Sequence, residues 1–166
     1  IVCSKDNDLC RKEEYPEAVD LIRKVLAQQP DNSVVIVQVG FSTNIARLLG
    51  SKPDINSPLN GKDLVKQKVK MLSIMGGCFQ YINGEPYSEY NINVDISSAI
   101  KLVEQCPVPI IFSGYEIGMS VLYPVESINQ DYNYCPSHPL RLAYELYFEM
   151  PYDRPCWDLT SVLYAV

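Results

Sequence analysis

The residues best able to do chemistry are gathered between Met75 and Asp95. Met75-Gly76-Gly77 opens this stretch, and paired glycines let a backbone come close to a ligand. Asn83, Glu89 and Asn91 follow, two amides and a carboxylate of the kind that hold sugar hydroxyls. Asn and Gly are also what turns demand, so the residues alone fit both a sugar-holding loop and a plain surface loop. Elsewhere reactive groups are sparse. Cys3, Cys10, Cys78, Cys106, Cys135 and Cys156 contain no C-x-x-C pair, which removes the usual zinc and thioredoxin-like spacings. Buried thiols and disulfides fit them equally. The single histidine, His138, stands between Ser137 and Pro139 at an expected helix start, a structural position. Asp6-Asn7-Asp8 with Glu13 and Glu14 reads as a solvated acidic loop.

The elements that must position these residues follow from periodicity. Between Glu17 and Gln29, Ala18, Ile22, Val25 and Leu26 recur at helical spacing, with Pro16 before and Pro30 after. Ser33 to Val39 is then a β-branched run stopped by Gly40, the pattern of a strand buried on both faces. A helix over Asn44 to Leu49 and a polar loop with Pro53, Pro58 and Gly61 lead to a second buried strand, Val69 to Met75. Asp95 reads as the N-cap of a helix running to Gln105, followed by a strand from Pro107 to Phe112. Helical patterns close the chain at His138 to Glu149 and Leu159 to Val166. Alternating helices and buried strands predict an α/β fold, a largely parallel, Rossmann-like open sheet flanked by helices. Ligands in such sheets collect at the carboxyl ends of the strands, here Gly40, Gly76-Gly77 and Ser113-Gly114. No repeat, low-complexity tract or linker divides residues 1–166, which read as one domain.

Taken in order, Gly40-Phe41-Ser42-Thr43-Asn44-Ile45-Ala46, then Met75-Gly76-Gly77, then Glu89-Tyr90-Asn91 with Asp95 and Ala99, and finally Trp157-Asp158 resemble the inosine-uridine preferring nucleoside hydrolases. The resemblance runs nearly end to end, and three segments in order are far more specific than any one. It implies hydrolysis of the N-glycosidic bond of ribonucleosides to free base and ribose, assisted by Ca2+ at the strand ends. A metal there lowers the pKa of bound water and clamps a diol, while carboxylates and amides stabilise an oxocarbenium-like sugar. By position, Asp158 resembles the family's C-terminal calcium ligand, which also contacts ribose. Val39 corresponds to the residue that offers the ion its backbone carbonyl. Asn83, Glu89 and Asn91 resemble the groups around the ribose, chiefly its primary hydroxyl. Thr43 and Asn44 read as a hydroxyl and an amide that fix the turn beneath the metal. On local grounds Asp158 also suits a helix N-cap before Leu159.

Two departures shape the expectation. The family's N-terminal D-x-D-x-x-x-D-D segment has no counterpart here, so half the carboxylates of the calcium site and the general base are missing. The chain begins at Ile1 without methionine and reads as the central and C-terminal part of such a hydrolase, inactive by itself. Trp157 stands where many family members place a histidine. Tryptophan has no proton to give near neutral pH, but it can stack on a base or wall the pocket. A non-catalytic protein that binds a riboside or sugar on the same scaffold is therefore the alternative, and an inert truncated fold is a third. The expected ligand is a small nucleoside or N-riboside. Nucleic acid is not expected, because a net charge of -6 opposes a polyanion. No apolar run approaches the roughly 20 residues needed to span a bilayer. The resemblance also implies homo-oligomers.

Overall fold

A computed structural model describes residues 15–135 and 137–166. In chain order the first half contains α1 (Ala18–Ala27), β1 (Val34–Gln38), α2 (Thr43–Leu49), α3 (Gly61–Lys68), β2 (Val69–Met75), β3 (Tyr81–Ile82) and β4 (Glu85–Pro86). The second half contains α4 (Tyr90–Val94), α5 (Ile96–Gln105), β5 (Ile110–Ser113), α6 (Tyr115–Ser120), β6 (Leu122–Tyr123), α7 (Val125–Gln130), α8 (Pro139–Tyr147), β7 (Arg154–Pro155) and α9 (Trp157–Ala165). None of the helices among the described residues is long and apolar enough to cross a membrane.

The predicted parallel sheet is present, with strand order β1-β2-β5. Ile36 lies opposite Leu72, and Leu72 opposite Ile110. Side chains of β2 alternate between two covered faces. Leu72 and Ile74 enter a core with Leu26, Leu48, Leu64, Val65 and Leu102 from α1, α2, α3 and α5. Ser73 points the other way, where its hydroxyl donates to the Ser161 carbonyl at 2.8 Å and ties α9 across the sheet. Two-sided burial thus holds for β2. It fails for β1, whose Val34, Val35, Ile36 and Val37 are only half-buried, because β1 flanks β2 and has a neighbour on one side only among the described residues.

Helices α1, α3 and α4 differ from expectation for physical reasons. On α1 the buried stripe is Val19, Arg23 and Leu26, with Ile22 partly covered, while Val25 is exposed. An arginine can occupy a core-facing position because the loop after α2 brings acceptors to it. Arg23 Nε and Nη2 donate to the two Asp54 carboxylate oxygens at 2.9 and 3.0 Å. Nη1 donates to Ser51 Oγ at 2.8 Å, and Nη2 also to the carbonyls of Ser57 and Leu59 at 3.2 and 2.9 Å. Gly61, expected in a loop, instead opens α3, where Asn60 caps the Asp63 amide at 2.9 Å. A Cβ on Gly61 would collide with the Leu48 carbonyl, so glycine here permits a close backbone approach. The segment after Glu89, expected as loop, winds into the short α4.

Asp95 caps α5 as predicted, accepting from the Ser98 amide at 3.1 Å. It also accepts from the hydroxyls of Ser97 and Thr43, so the turn after β1 is latched to α5. Thr43 first, then Ser98, lower its carboxyl from 3.8 to about 2. A depressed carboxyl stabilises the fold while ionised, so its contribution is present above 3.8 and is lost as the pH falls through about 2. The urea midpoint of the wild-type chain is therefore expected to exceed that of Asp95→Asn near neutral pH, with the gap closing between 3.8 and about 2. A gap that stays constant through that window would show that the latch does not depend on charge.

Candidate functional site

At the carboxyl end of β2 the chain turns through Gly76-Gly77, and Gly77 adopts φ +77°, a left-handed conformation suited to glycine. This turn is held from two sides. The Gly77 amide donates to Glu89 Oε2 at 3.0 Å, and the Gly77 carbonyl accepts from the Tyr115 amide at 2.8 Å. Glu89 is 5% exposed and also accepts from the amides of Asn91 and Ile92 at 2.8 and 3.1 Å, which makes it the N-cap of α4. Its carboxylate is thereby fixed in place by three backbone donors. Asn91 donates from Nδ2 to the Met75 carbonyl at 3.3 Å and to Met75 Sδ at 3.1 Å. Its amide oxygen has no hydrogen-bond partner among the described residues.

Facing this turn is the start of α9. The Cys156 amide donates to the carbonyls of Val121 and Gly118 at 2.8 and 3.2 Å, which pins the helix start against α6. A Cβ on Gly118 would lie 2.6 Å from Trp157 Cα and collide with the indole ring, so a glycine at this point lets Trp157 pack closely. Trp157 opens the helix, and Cys156 is the N-cap residue without a side-chain bond. The N-cap reading of Asp158 is thus corrected: the helix begins two residues earlier than the apolar pattern suggested, and Asp158 sits in its first turn. Acid there still complements the helix dipole.

Glu89, Asn91, Trp157 and Asp158 line one cleft of about 450 Å³, together with Met75 and Arg154. A second cleft of about 510 Å³, lined by Tyr123, Tyr132 and Tyr144, shares Arg154, Trp157 and Asp158 with the first. The Asp158 carboxyl is pushed up, first by loss of water and then by the nearby Glu89 charge, with Arg154 opposing both. Flat faces accumulate beside it. Tyr87 stacks on Tyr115 at 4.3 Å, and Tyr115 on Trp157 at 5.7 Å. The Arg154 guanidinium lies 4.1 Å from the Tyr147 ring centre and 5.8 Å from that of Trp157. Burial raises the Tyr87 phenol, with a further contribution from Tyr115, so it stays protonated.

Other sequence candidates lie elsewhere. Asn83 is exposed at the tip of the β3–β4 hairpin, and with Gly84 it forms the pair of positive-φ residues, 54° and 83°, that a tight hairpin turn requires. It does not line the cleft with Glu89 and Asn91. Val39 follows β1 at the carboxyl end of the sheet, 43% exposed and also outside the cleft lining. His138 caps α8, accepting from the Leu140 amide at 3.3 Å, and packs on Tyr132. Cys78, Cys106, Cys135 and Cys156 are free thiols. Asp6, Asp8, Glu13, Glu14, Cys3 and Cys10 lie outside the described residues. Sequence reasoning missed Tyr87, Tyr115, Tyr147 and Arg154. The available signals were twelve tyrosines in one chain and the Arg154-Pro155 pair just ahead of Trp157.

Among the described residues there is no group of three or more His, Cys, Asp or Glu side chains able to hold a metal ion. Asp158 is one carboxylate at the cleft, and the Glu89 oxygens are already engaged by amides. A calcium ion takes about six to eight oxygens, so these residues do not by themselves fit one. They do suit a ligand with a planar ring and several hydroxyls: stacked aromatic faces for the ring, a carboxylate and an amide oxygen for the hydroxyls.

The model of the family described as inosine-uridine preferring nucleoside hydrolase matches residues 4–165. The pyrimidine-specific ribonucleoside hydrolase RihA of Citrobacter koseri is 34% identical over 100 residues, covering 60% of this chain and 28% of the relative. RihA of Escherichia coli O1:K1 matches with the same identity and coverage. This chain thus spans 28% of the length of these curated relatives. A plant nucleoside hydrolase, PpNRh1, has a similar fold, with a TM-score of 0.63 at 22% identity over 93% of this chain and 48% of that one. A purine-preferring ribonucleoside hydrolase from Gardnerella vaginalis gives a TM-score of 0.55 at 24% identity, over 73% and 35% of the two chains.

Proposed function

Because the chain belongs to the inosine-uridine preferring nucleoside hydrolase family, we propose that the protein cleaves the N-glycosidic bond of ribonucleosides or related N-ribosides to free base and ribose. The observation that carries this reading is the meeting of two kinds of surface in one cleft, Asp158 and Asn91 beside the stacked Tyr115 and Trp157. Asp158 and the Asn91 amide oxygen accept from ribose hydroxyls. Glu89 sets the shape of the ribose side by holding the Gly77 turn and the start of α4, and its carboxylate supplies negative charge next to a sugar that becomes cationic as the bond breaks. Trp157 walls the base. For Asn83 as a contact to the primary hydroxyl, the support is the family segment alone.

Calcium is the ion that family membership suggests, with Asp158 and the Val39 carbonyl as this chain's donors to it. Two donors fall well short of a complete shell, so no step is assigned to the ion. For the same reason the described residues are expected to release no ribose by themselves.

A second reading, a protein that binds a riboside without cleaving it, is favoured by one observation. Trp157 supplies no titratable proton, and His138 is engaged as the cap of α8. The deciding experiment is ribose release from a panel of purine and pyrimidine nucleosides by the full-length protein, with added calcium and with chelator. Release that chelation abolishes supports a calcium-assisted hydrolase. Nucleoside binding with no release from any member of the panel overturns the hydrolase reading in favour of the binding protein.

A further inference from the structure

Among the described residues no carboxylate comes within ion-pair distance of Arg154, though Asp158 is near enough to feel its charge. Its guanidinium makes no hydrogen bond or ion pair among the described residues, unlike Arg23, Arg47 and Arg141, each of which pairs with a carboxylate. It is held by aromatic faces, 4.1 Å from the Tyr147 ring centre and 5.8 Å from that of Trp157, and it lines both clefts. The backbone there is anchored by β7, which pairs antiparallel with β6 and sets Arg154 opposite Tyr123. Stacking on rings leaves the N–H edge of the guanidinium unspent. Five donors in a fixed plane, next to an aromatic wall, form a receptor for an oxygen or nitrogen acceptor at the rim of a planar ring.

Resting on the hydrolase reading, we propose that Arg154 binds the leaving base and stabilises the negative charge it acquires, in the role that a titratable histidine could otherwise fill. As the glycosidic bond breaks, its electron pair passes to the base nitrogen and spreads onto a ring carbonyl, which accepts from Arg154. The oxygen of water bonds to the anomeric carbon. The proton that this water gives up is returned through solvent to the base nitrogen as the base departs, so Arg154 stays protonated throughout. An arginine donates without titrating, so this arrangement favours bases that carry an oxo group next to the glycosidic nitrogen or conjugated with it. Departure should also show no ionisation of an imidazole in its pH profile.

The test compares two leaving groups in the full-length protein, uridine or inosine against p-nitrophenyl riboside, whose nitrophenolate leaves without help. For Arg154→Gln, kcat on the nucleosides is expected to fall about 100-fold, as when one charge-stabilising donor is removed, while the loss on the nitrophenyl riboside stays within about tenfold. Arg154→Lys keeps the charge and is expected to recover part of the nucleoside activity, and equal urea midpoints establish that both variants fold. Equal losses on both substrates, or no loss on either, would overturn the role of Arg154. Failure of the wild-type protein on both substrates would instead bring down the hydrolase reading, and this inference with it.

Discussion

Asp158→Asn in the full-length protein is expected to lower kcat/KM for ribose release by about a thousandfold, with little change in stability. The carboxylate lies in the first turn of α9 and lines both clefts, together with Arg154 and the stacked Trp157. The surroundings already resist its charge, through loss of water and the proximity of Glu89, so keeping an acid at this point costs free energy that a purely structural side chain need not spend. Asn keeps the shape and removes the charge, which costs the fold only about 0.3–1 kcal/mol of helix-dipole interaction. Steady-state kinetics together with a urea midpoint separate the two effects. A variant with near wild-type kcat/KM would remove Asp158 from the ribose site altogether.

The largest effect on stability is expected at Arg23. Arg23→Ala leaves the Ser57 and Leu59 carbonyls without the donor that now reaches them, and a buried polar group left unpaired costs about 1–3 kcal/mol. Loss of the packed side-chain stem adds to this, so a total of about 3 kcal/mol or more is expected from urea denaturation. Arg23→Lys is not expected to rescue it, because an ammonium cannot grip both Asp54 oxygens and still reach Ser51 and the two carbonyls. The guanidinium also holds the Asp54 carboxyl far below the usual carboxylate range. A lysine variant as stable as wild type would show that charge, and not the planar fork, closes this loop onto α1.

Much of the framework was legible because it is local. Apolar runs ending in glycine or Ser-Gly marked all three strands of the sheet, and Asp95 announced α5 by the capping chemistry it performs. Where the reading failed, a contact distant in sequence had overruled a local pattern. Gly61 was placed in a loop, whereas its close approach to the Leu48 carbonyl lets it open α3, and Arg23 went unnoticed because Asp54, its partner, lies 31 positions away.

By itself, then, the sequence determined the α/β class, the order of segments shared with the nucleoside hydrolases, and the identities of Glu89, Asn91, Trp157 and Asp158 as residues worth placing. Only the tertiary structure decided that these four share one cleft while Asn83 is spent on a hairpin turn, and that Tyr87, Tyr115 and Arg154 join the four. The physical reason is range. Helix and strand signals repeat every few residues along the chain, whereas the cleft is made where the end of β2 meets the start of α9, a meeting secured by contacts such as Ser73 to Ser161 that leave no periodic trace in the sequence.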